Sequence, residues 1–222
     1  MSALKKKIFV IGLPKTCLTS VLFACHHLGL NAHGTNKAAL RAYFRDDLVA
    51  IYDHFDSHDV LVDWPVPLMY KQAFRHYGAD ALYILTLRRS ADAWVDSLKR
   101  HSLQTHPLKT WFPKLFGYRW PHGFEDQFKA FYESYTEDAV RFFAENDASD
   151  QLLTFCAETG DSWPQLCEFI DCNPPPEIPF PRENVSAARD LKRFRLAYNT
   201  IASSVYGCIA PRVLPGRPIA LP

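Results

Sequence analysis

The sequence lacks any apolar run approaching the roughly 18 residues of a membrane span, any Cys-x-x-Cys pair, and any real excess of one charge sign. Each absence excludes something. Without the long apolar run, no membrane-crossing helix is expected. With 25 Lys and Arg against 24 Asp and Glu, the net charge is +1, which argues against a broad nucleic-acid-binding face but leaves room for a local basic pocket. The six cysteines, Cys17, Cys25, Cys156, Cys167, Cys172 and Cys208, follow neither a zinc-site nor a disulfide spacing. Most are expected to be reduced core or surface thiols of a cytoplasmic protein. Lys5-Lys6-Lys7 leads into only a short apolar run before Pro14, so no signal peptide is read there. No internal repeat is found. The nucleotide-triphosphatase loop G-x-x-x-x-G-K-[ST] is missing too, because Lys15 comes three residues after Gly12.

What is present is an ordinary globular composition, 48% apolar and 22% charged over 222 residues, enough for one domain with a full core. Short apolar runs at 7–12, 60–63, 82–87 and 152–155 read as strands. Helical periodicity is found from Thr19 to about Leu28, with Gly29 as the stop, and at 36–46, 47–56, 67–77, 91–102, 124–146, 163–170 and 184–206. A break is expected around Asp46-Asp47, and Ser90 is placed to cap its helix. Residues 104–122 are crowded with Trp111, Phe112, Phe116, Tyr118 and Trp120, an ordered irregular segment or a lid over an acceptor. Residues 211–222 read as a proline-rich tail. Strands alternating with helices predict a three-layer α/β/α fold around a mostly parallel sheet. Ligands of such sheets bind at the strand carboxyl ends, and three of those ends carry useful residues: Lys15, Asp63 and Arg89.

The first of these ends is Gly12-Leu13-Pro14-Lys15-Thr16-Cys17-Leu18-Thr19-Ser20. A strand, a tight loop and a helix start point backbone N–H groups and a helix dipole at one spot, a junction suited to phosphate. Read alone, it is equally a turn with a solvated lysine. The third end places Arg89 after the strand and Ser97 two helical turns on, a guanidinium and a hydroxyl able to grip a second phosphate.

Together these stretches resemble the sulfotransferases that use 3′-phosphoadenosine 5′-phosphosulfate (PAPS). That family's first loop reads roughly G-x-P-[KR]-[ST]-G-[ST]-[TS]-S, and its second motif R-D-P-x-x-W-x-x-S. Gly12 to Ser20 follow the first at most positions, and Arg89, Trp94 and Ser97 follow the second in register. Leu152-Leu153-Thr154-Phe155 is similar to the family's late strand and Phe180-Pro181-Arg182-Glu183-Asn184-Val185 to the stretch after it, so the likeness covers about 7–186. The resemblance implies a P-loop-like sulfotransferase fold with PAPS as co-substrate and no metal. It implies that Pro14, Lys15, Thr16, Cys17, Leu18, Thr19 and Ser20 hold the 5′-phosphosulfate, with Lys15 neutralising the leaving group, and that Arg89 and Ser97 hold the 3′-phosphate. Further basic residues for that phosphate are available in Arg182, Lys192 and Arg193. Cys17 stands where the family usually has Gly, Leu18 where it has Ser or Thr, and Arg88-Arg89-Ser90-Ala91 replaces x-R-D-P. A positive φ at Cys17 would be strained.

On the acceptor side, Asp63-Trp64-Pro65 falls where the family carries His-x-Pro at a strand end, and Asp63 is the candidate base. Asp63 could instead cap a loop or pair with Lys15 or Arg88, and His33, His101 and His106 are reserve bases. His26 and His27 suit a helix C-terminus without any function. The acceptor is expected to be a small hydroxylated molecule, with neither nucleic acid nor membrane as partner. Two alternatives stand beside this reading: a P-loop small-molecule kinase, and a non-catalytic nucleotide-binding protein with a decayed loop.

Overall fold

The computed structural model describes all residues except 1–5, 107–110, 176–177, 182–192, 214–218 and 220–222. The chain divides into two compact units, one made of residues 1–88 and 138–183, the other of 89–137 and 184–222.

The first unit is built on a five-stranded, all-parallel sheet. Its strands are β1 (Lys7–Val10), β2 (Ala32–His33), β3 (Val60–Val62), β4 (Ala81–Thr86) and β5 (Leu152–Phe155), in the spatial order β2-β3-β1-β4-β5. β1 lies at the centre, and the chain passes to one side of it for β2 and β3 and to the other for β4 and β5. Its carboxyl end is therefore the topological switch point, where a crevice opens between diverging connections. Ladder hydrogen bonds from Ile11 N–H to Ile84 O and from Leu87 N–H to Phe155 O extend these strands by one residue. The expected three-layer, parallel α/β architecture is present. Strand β2 had no counterpart in the sequence reading: with two residues it carries no period of its own and exists by pairing to β3.

Alternation along the strands feeds two faces. Ile8, Val10, Val60, Val62, Leu82 and Ile84 pack with Val21, Ala24 and Cys25 of helix α1 (Leu18–His27) and with Trp163, Leu166 and Cys167 of a late helix, Trp163–Phe169. Phe9 and Tyr83, both fully buried, point to the opposite face, where Phe9 meets Phe55 at 5.3 Å and Tyr83 meets Phe143 at 4.7 Å between ring centroids. Truncating such a ring to alanine costs about 3–5 kcal/mol.

The connections follow local chemistry. Gly29 takes φ 76 just after α1, and the bonds Gly29 N–H to His26 O and Leu30 N–H to Cys25 O close the helix as expected. Helices α2 (Lys37–Tyr43) and α3 (Leu48–Asp56) are separated where Asp46 adopts φ 55 and Asp47 caps the second by accepting from Ala50 N–H. Lys7 Nζ donates to Phe55 O and His58 O at 2.8 and 2.7 Å, so a cation satisfies carbonyls at the end of α3. Helix α4 (Val66–Tyr77) leads into β4.

The second unit contains helices α5 (Ala91–Gln104), α6 (Phe112–Phe116), the larger part of α7 (Glu125–Glu145) and the last helix, which we call α9 (Arg193–Val213), the Trp163–Phe169 helix being α8. Ser90 caps α5 by accepting from Ala93 N–H, as the sequence predicts. Fully buried Trp94 stacks on Tyr132 at 5.1 Å. Asn199 Nδ2 donates to Leu103 O and Thr105 O at 2.8 and 2.9 Å, holding the C-terminal end of α5 against α9. The expected helix over 184–206 is observed from Arg193 onward, its first residues lying outside the described ones. It runs on to Val213 with Pro211 inside its last turn, so the tail begins later than the prolines suggest. No helix among the described residues is long and apolar enough to cross a membrane.

Candidate active site

At the switch point the chain leaves β1 through Ile11-Gly12 and re-enters a helix at Leu18. The turn needs the glycine for space. A Cβ on Gly12 would lie 1.9 Å from Thr86 Oγ1, 2.7 Å from Thr86 O and 2.8 Å from Thr16 Oγ1, so the loop base and the end of β4 are in direct contact there. Thr16 is completely buried; its hydroxyl donates to Leu13 O at 2.6 Å and pairs with Thr86 Oγ1 at 2.6 Å. Because the Thr16 proton serves Leu13, Thr86 is the donor in the second bond. The Thr16 hydroxyl is thus an internal strut, and only its backbone N–H remains to serve a ligand.

Lys15 takes φ 75 and Cys17 φ 68, both left-handed. The condition under which Cys17 is strained is therefore met, at a cost of roughly 1–2 kcal/mol for a non-glycine residue. Cys17 is the N-cap of α1 and gives no side-chain cap to its first-turn N–H groups, and that turn carries no acidic residue. By contrast α2, α3 and α5 are capped by Asn36, Asp47 and Ser90. The α1 terminus thus presents its dipole with no built-in anion. Burial pushes the Cys17 thiol up to about 12, so it is neutral and not a nucleophile at ordinary pH. Leu18 and Ser20 are buried at the start of the helix, and Thr19 is half-buried. Arg88 NH2 pairs with Glu158 Oε1 at 2.8 Å, and its NH1 reaches Lys15 O at 3.5 Å. It buttresses the loop from β4, a role not foreseen for it.

Asp63 follows β3 with φ 69, ahead of a cis Trp64–Pro65 bond. Its Oδ1 accepts from Trp64 N–H at 2.9 Å and its Oδ2 from the Thr35 hydroxyl. Burial pushes the carboxyl above its ordinary range; Thr35, Trp64 N–H and the charge of Lys15 oppose this without reversing it. Some of Asp63 still reaches the surface, so the group is desolvated by surrounding protein rather than sealed off. Lys15 and Asp63 are close enough to influence each other electrostatically, as two converging strand ends require. Thr35 was not singled out from the sequence; its signal was only a hydroxyl beside a two-residue strand.

In the second unit, Arg89 is exposed just before α5 and Ser97 is 3% exposed on α5. Ser97 thus sits within that unit's packing. Arg182 and Lys192 lie outside the described residues, as does the side chain of Arg193. The 104–122 aromatics pack within their own unit. Phe116 lies 5.3 Å from Phe128, Tyr118 lies 4.1 Å from Phe124, and Phe112, Phe116, Tyr118 and Trp120 are all buried. Their ring faces are occupied by the unit's core. Trp120 alone also lines an open apolar cavity of about 630 Å³, formed with Tyr206 and the Ile201–Val205–Ile209 stripe of α9.

Of the reserve histidines, His101 lies in α5 and His106 just beyond it, while His33 ends β2. Burial and the neighbouring His33 and His58 push His54 down to about 4.

A sequence profile described as a sulfotransferase domain matches residues 7–189. The chain belongs to this sulfotransferase family. The match begins on β1, takes in the loop, Asp63, Arg89 and Ser97, and crosses from the first unit into the second and back. No curated protein sequence matches the chain. The strand ends described above thus lie within the matched sulfotransferase domain, and those of the first unit belong to its all-parallel sheet.

Proposed function

We propose that this sulfotransferase-family chain moves a sulfuryl group from PAPS to a hydroxyl of a small-molecule acceptor by in-line displacement. The observation that carries the reading is the α1 N-terminus without a side-chain cap, beside Lys15 at the carboxyl end of β1. The fit to an anionic donor is chemical: a helix dipole, no acid in the first turn, and a lysine on the same loop. PAPS supplies the activated sulfuryl group. Pro14 to Ser20 hold its 5′ end, mainly through backbone N–H groups, since the Thr16 hydroxyl is turned inward and Leu18 has none to offer. Lys15 offsets the negative charge that develops on the leaving group. Asp63, its basicity increased by burial, takes the proton from the acceptor hydroxyl. Arg89 and Ser97 are assigned to the 3′-phosphate from their motif. Both units belong to one catalytic domain in this reading, supported by a family match that spans them. Six free thiols support a cytoplasmic setting.

The Cys17 departure does not by itself argue for a decayed loop. The residue adopts the left-handed conformation a glycine would take, and a cost of about 1–2 kcal/mol is within reach of ordinary domain stability. The test is thermal stabilisation by 3′,5′-adenosine bisphosphate, measured beside ADP-magnesium and ATP-magnesium. A rise with the bisphosphate is expected. A rise with ATP-magnesium alone would point to a kinase and overturn the proposal, and no rise with any of them would favour the non-catalytic reading.

A further inference from the structure

His33, His54 and His58 come from three places in the chain. His33 ends β2, His54 is in the last turn of α3, and His58 follows the Ser57 C-cap of that helix. One ring nitrogen from each lies within 4.8 Å of the others, and all three residues are half-buried. From this cluster we infer a binding site for a divalent first-row transition metal of the zinc class, outside the phosphosulfate loop and independent of the sulfuryl-transfer reading.

The ring spacing suits such an ion. Zinc–nitrogen bonds of about 2.0–2.1 Å at tetrahedral angles put imidazole centroids roughly 5 Å apart. The observed centroid distances are 4.9 Å for His33–His54, 4.7 Å for His33–His58 and 4.9 Å for His54–His58. Ligand chemistry narrows the class. Three neutral imidazoles with no carboxylate suit zinc, cobalt, nickel or copper and not magnesium or calcium, which need oxygen donors. Partial exposure leaves a fourth position to water.

The outer hydrogen bonds set two of the three tautomers for coordination. His33 Nδ1 faces Gly34 O at 2.9 Å, and His58 Nδ1 faces His54 O at 3.0 Å. A carbonyl can only accept, so both rings carry their proton on Nδ1 and present the Nε2 lone pair, the usual support of a metal-bound histidine. His54 differs. Its Nδ1 faces Asn36 Nδ2 at 3.1 Å, while Asn36 Oδ1 accepts from Ala38 and Ala39 N–H as the N-cap of α2. The amide cannot turn over without losing that cap. His54 therefore keeps its proton on Nε2, and ligation through that nitrogen moves the proton to Nδ1, against a donor. Asn36 thus weakens the native site, and a carboxylate in its place would complete a carboxylate–histidine–metal relay.

The site bears on the acceptor side. Between His33 and Asn36 lies Thr35, whose hydroxyl donates to Asp63, and Asn36 N–H donates to Trp64 O at 3.1 Å. A metal here clamps β2 to the end of α3 and stiffens the segment that orients Asp63.

The experiment uses the full chain after chelator treatment. Zinc is titrated by thermal shift, and cobalt by its visible ligand-field absorption. Wild type should bind both. His58→Gln and His54→Gln should abolish both signals while keeping the wild-type circular dichroism and bisphosphate response. Asn36→Asp, which preserves the N-cap, should tighten cobalt binding by about tenfold or more. The inference is overturned by no cobalt spectrum at millimolar metal, by an undiminished spectrum in His58→Gln, or by an unchanged affinity in Asn36→Asp. Since none of these outcomes involves the donor loop, the bisphosphate result stands or falls separately.

Discussion

Gly12→Ala should destabilise the protein through its close contacts with Thr86, and the size of the effect can be worked from the geometry. No left-handed φ is involved at Gly12, so the objection to a side chain is purely spatial. The new methyl would fall 1.9 Å from Thr86 Oγ1 and 2.7 Å from Thr86 O. The first contact can be relieved by turning the threonine, which breaks the buried Thr16–Thr86 bond at a cost of about 1 kcal/mol. The second is with backbone and needs β1 and β4 to part slightly; overpacking of this kind costs about 1–3 kcal/mol. The total is roughly 2–4 kcal/mol, read as a lowered urea midpoint at unchanged slope. The double variant Gly12→Ala, Thr86→Ala separates the contributions, because it removes the hydroxyl and leaves the carbonyl. It should be more stable than the sum of the single losses predicts, by about 1 kcal/mol or more. Strict additivity, or a Gly12→Ala protein within about 0.5 kcal/mol of wild type, would refute the reasoning.

Lys15→Ala should reduce turnover by about 10²–10³-fold while leaving the unfolding curve nearly unchanged; wild-type turnover would remove Lys15 from the chemistry. Asp63→Asn bears on both rate and pH dependence. Because the folded protein holds the Asp63 proton more tightly than the unfolded chain does, stability falls as pH rises from the unfolded carboxyl value, about 3.9, through the raised folded value. Urea titrations across that range should show the asparagine variant gaining on wild type as pH rises, and a constant difference would contradict the burial argument. Its turnover should also drop sharply, a retained rate moving the base to a histidine. Arg89→Ala should weaken 3′,5′-adenosine bisphosphate but hardly change binding of 5′-AMP in calorimetric titrations, whereas equal losses would argue against a 3′-phosphate contact.

The parts of the molecule legible in advance are those governed by local chemistry. A strand announces itself by an apolar run, so the sequence places β1, β3, β4 and β5 within a residue or two. A capping residue acts on its own helix, so Ser90 and Gly29 were placed correctly. The motif spacing that resembles the sulfotransferases is likewise linear, and the family match over 7–189 agrees with it. Local signals mislead where a distant partner decides. Pro211 reads as a helix end, yet it falls within the last turn of α9. The rings of 112–120 can be read as an acceptor wall or as packing onto the core, and it is distant partners, Phe128 against Phe116 and Tyr206 against Trp120, that give them their contacts. Thr16 could serve a phosphate through its hydroxyl or its backbone N–H, and it is Leu13 O and Thr86, 70 residues away, that occupy the hydroxyl.

By itself, then, the order of residues determined the alternation of strand and helix, the loop after β1 and the family, because these follow from periodicity and from contacts a few residues apart. The tertiary structure alone decided which polar atoms face each other across the sheet: Thr86 against Gly12 and Thr16, Thr35 against Asp63, Arg88 against Glu158. It also brought His33 to within ring-contact distance of His54 and His58, more than twenty positions further on, because β2 pairs with β3 and carries the end of α3 alongside it. The His-x-x-x-His spacing of the latter pair was visible in the chain. That a third imidazole would join them was not, since that contact depends on the register of a two-residue strand.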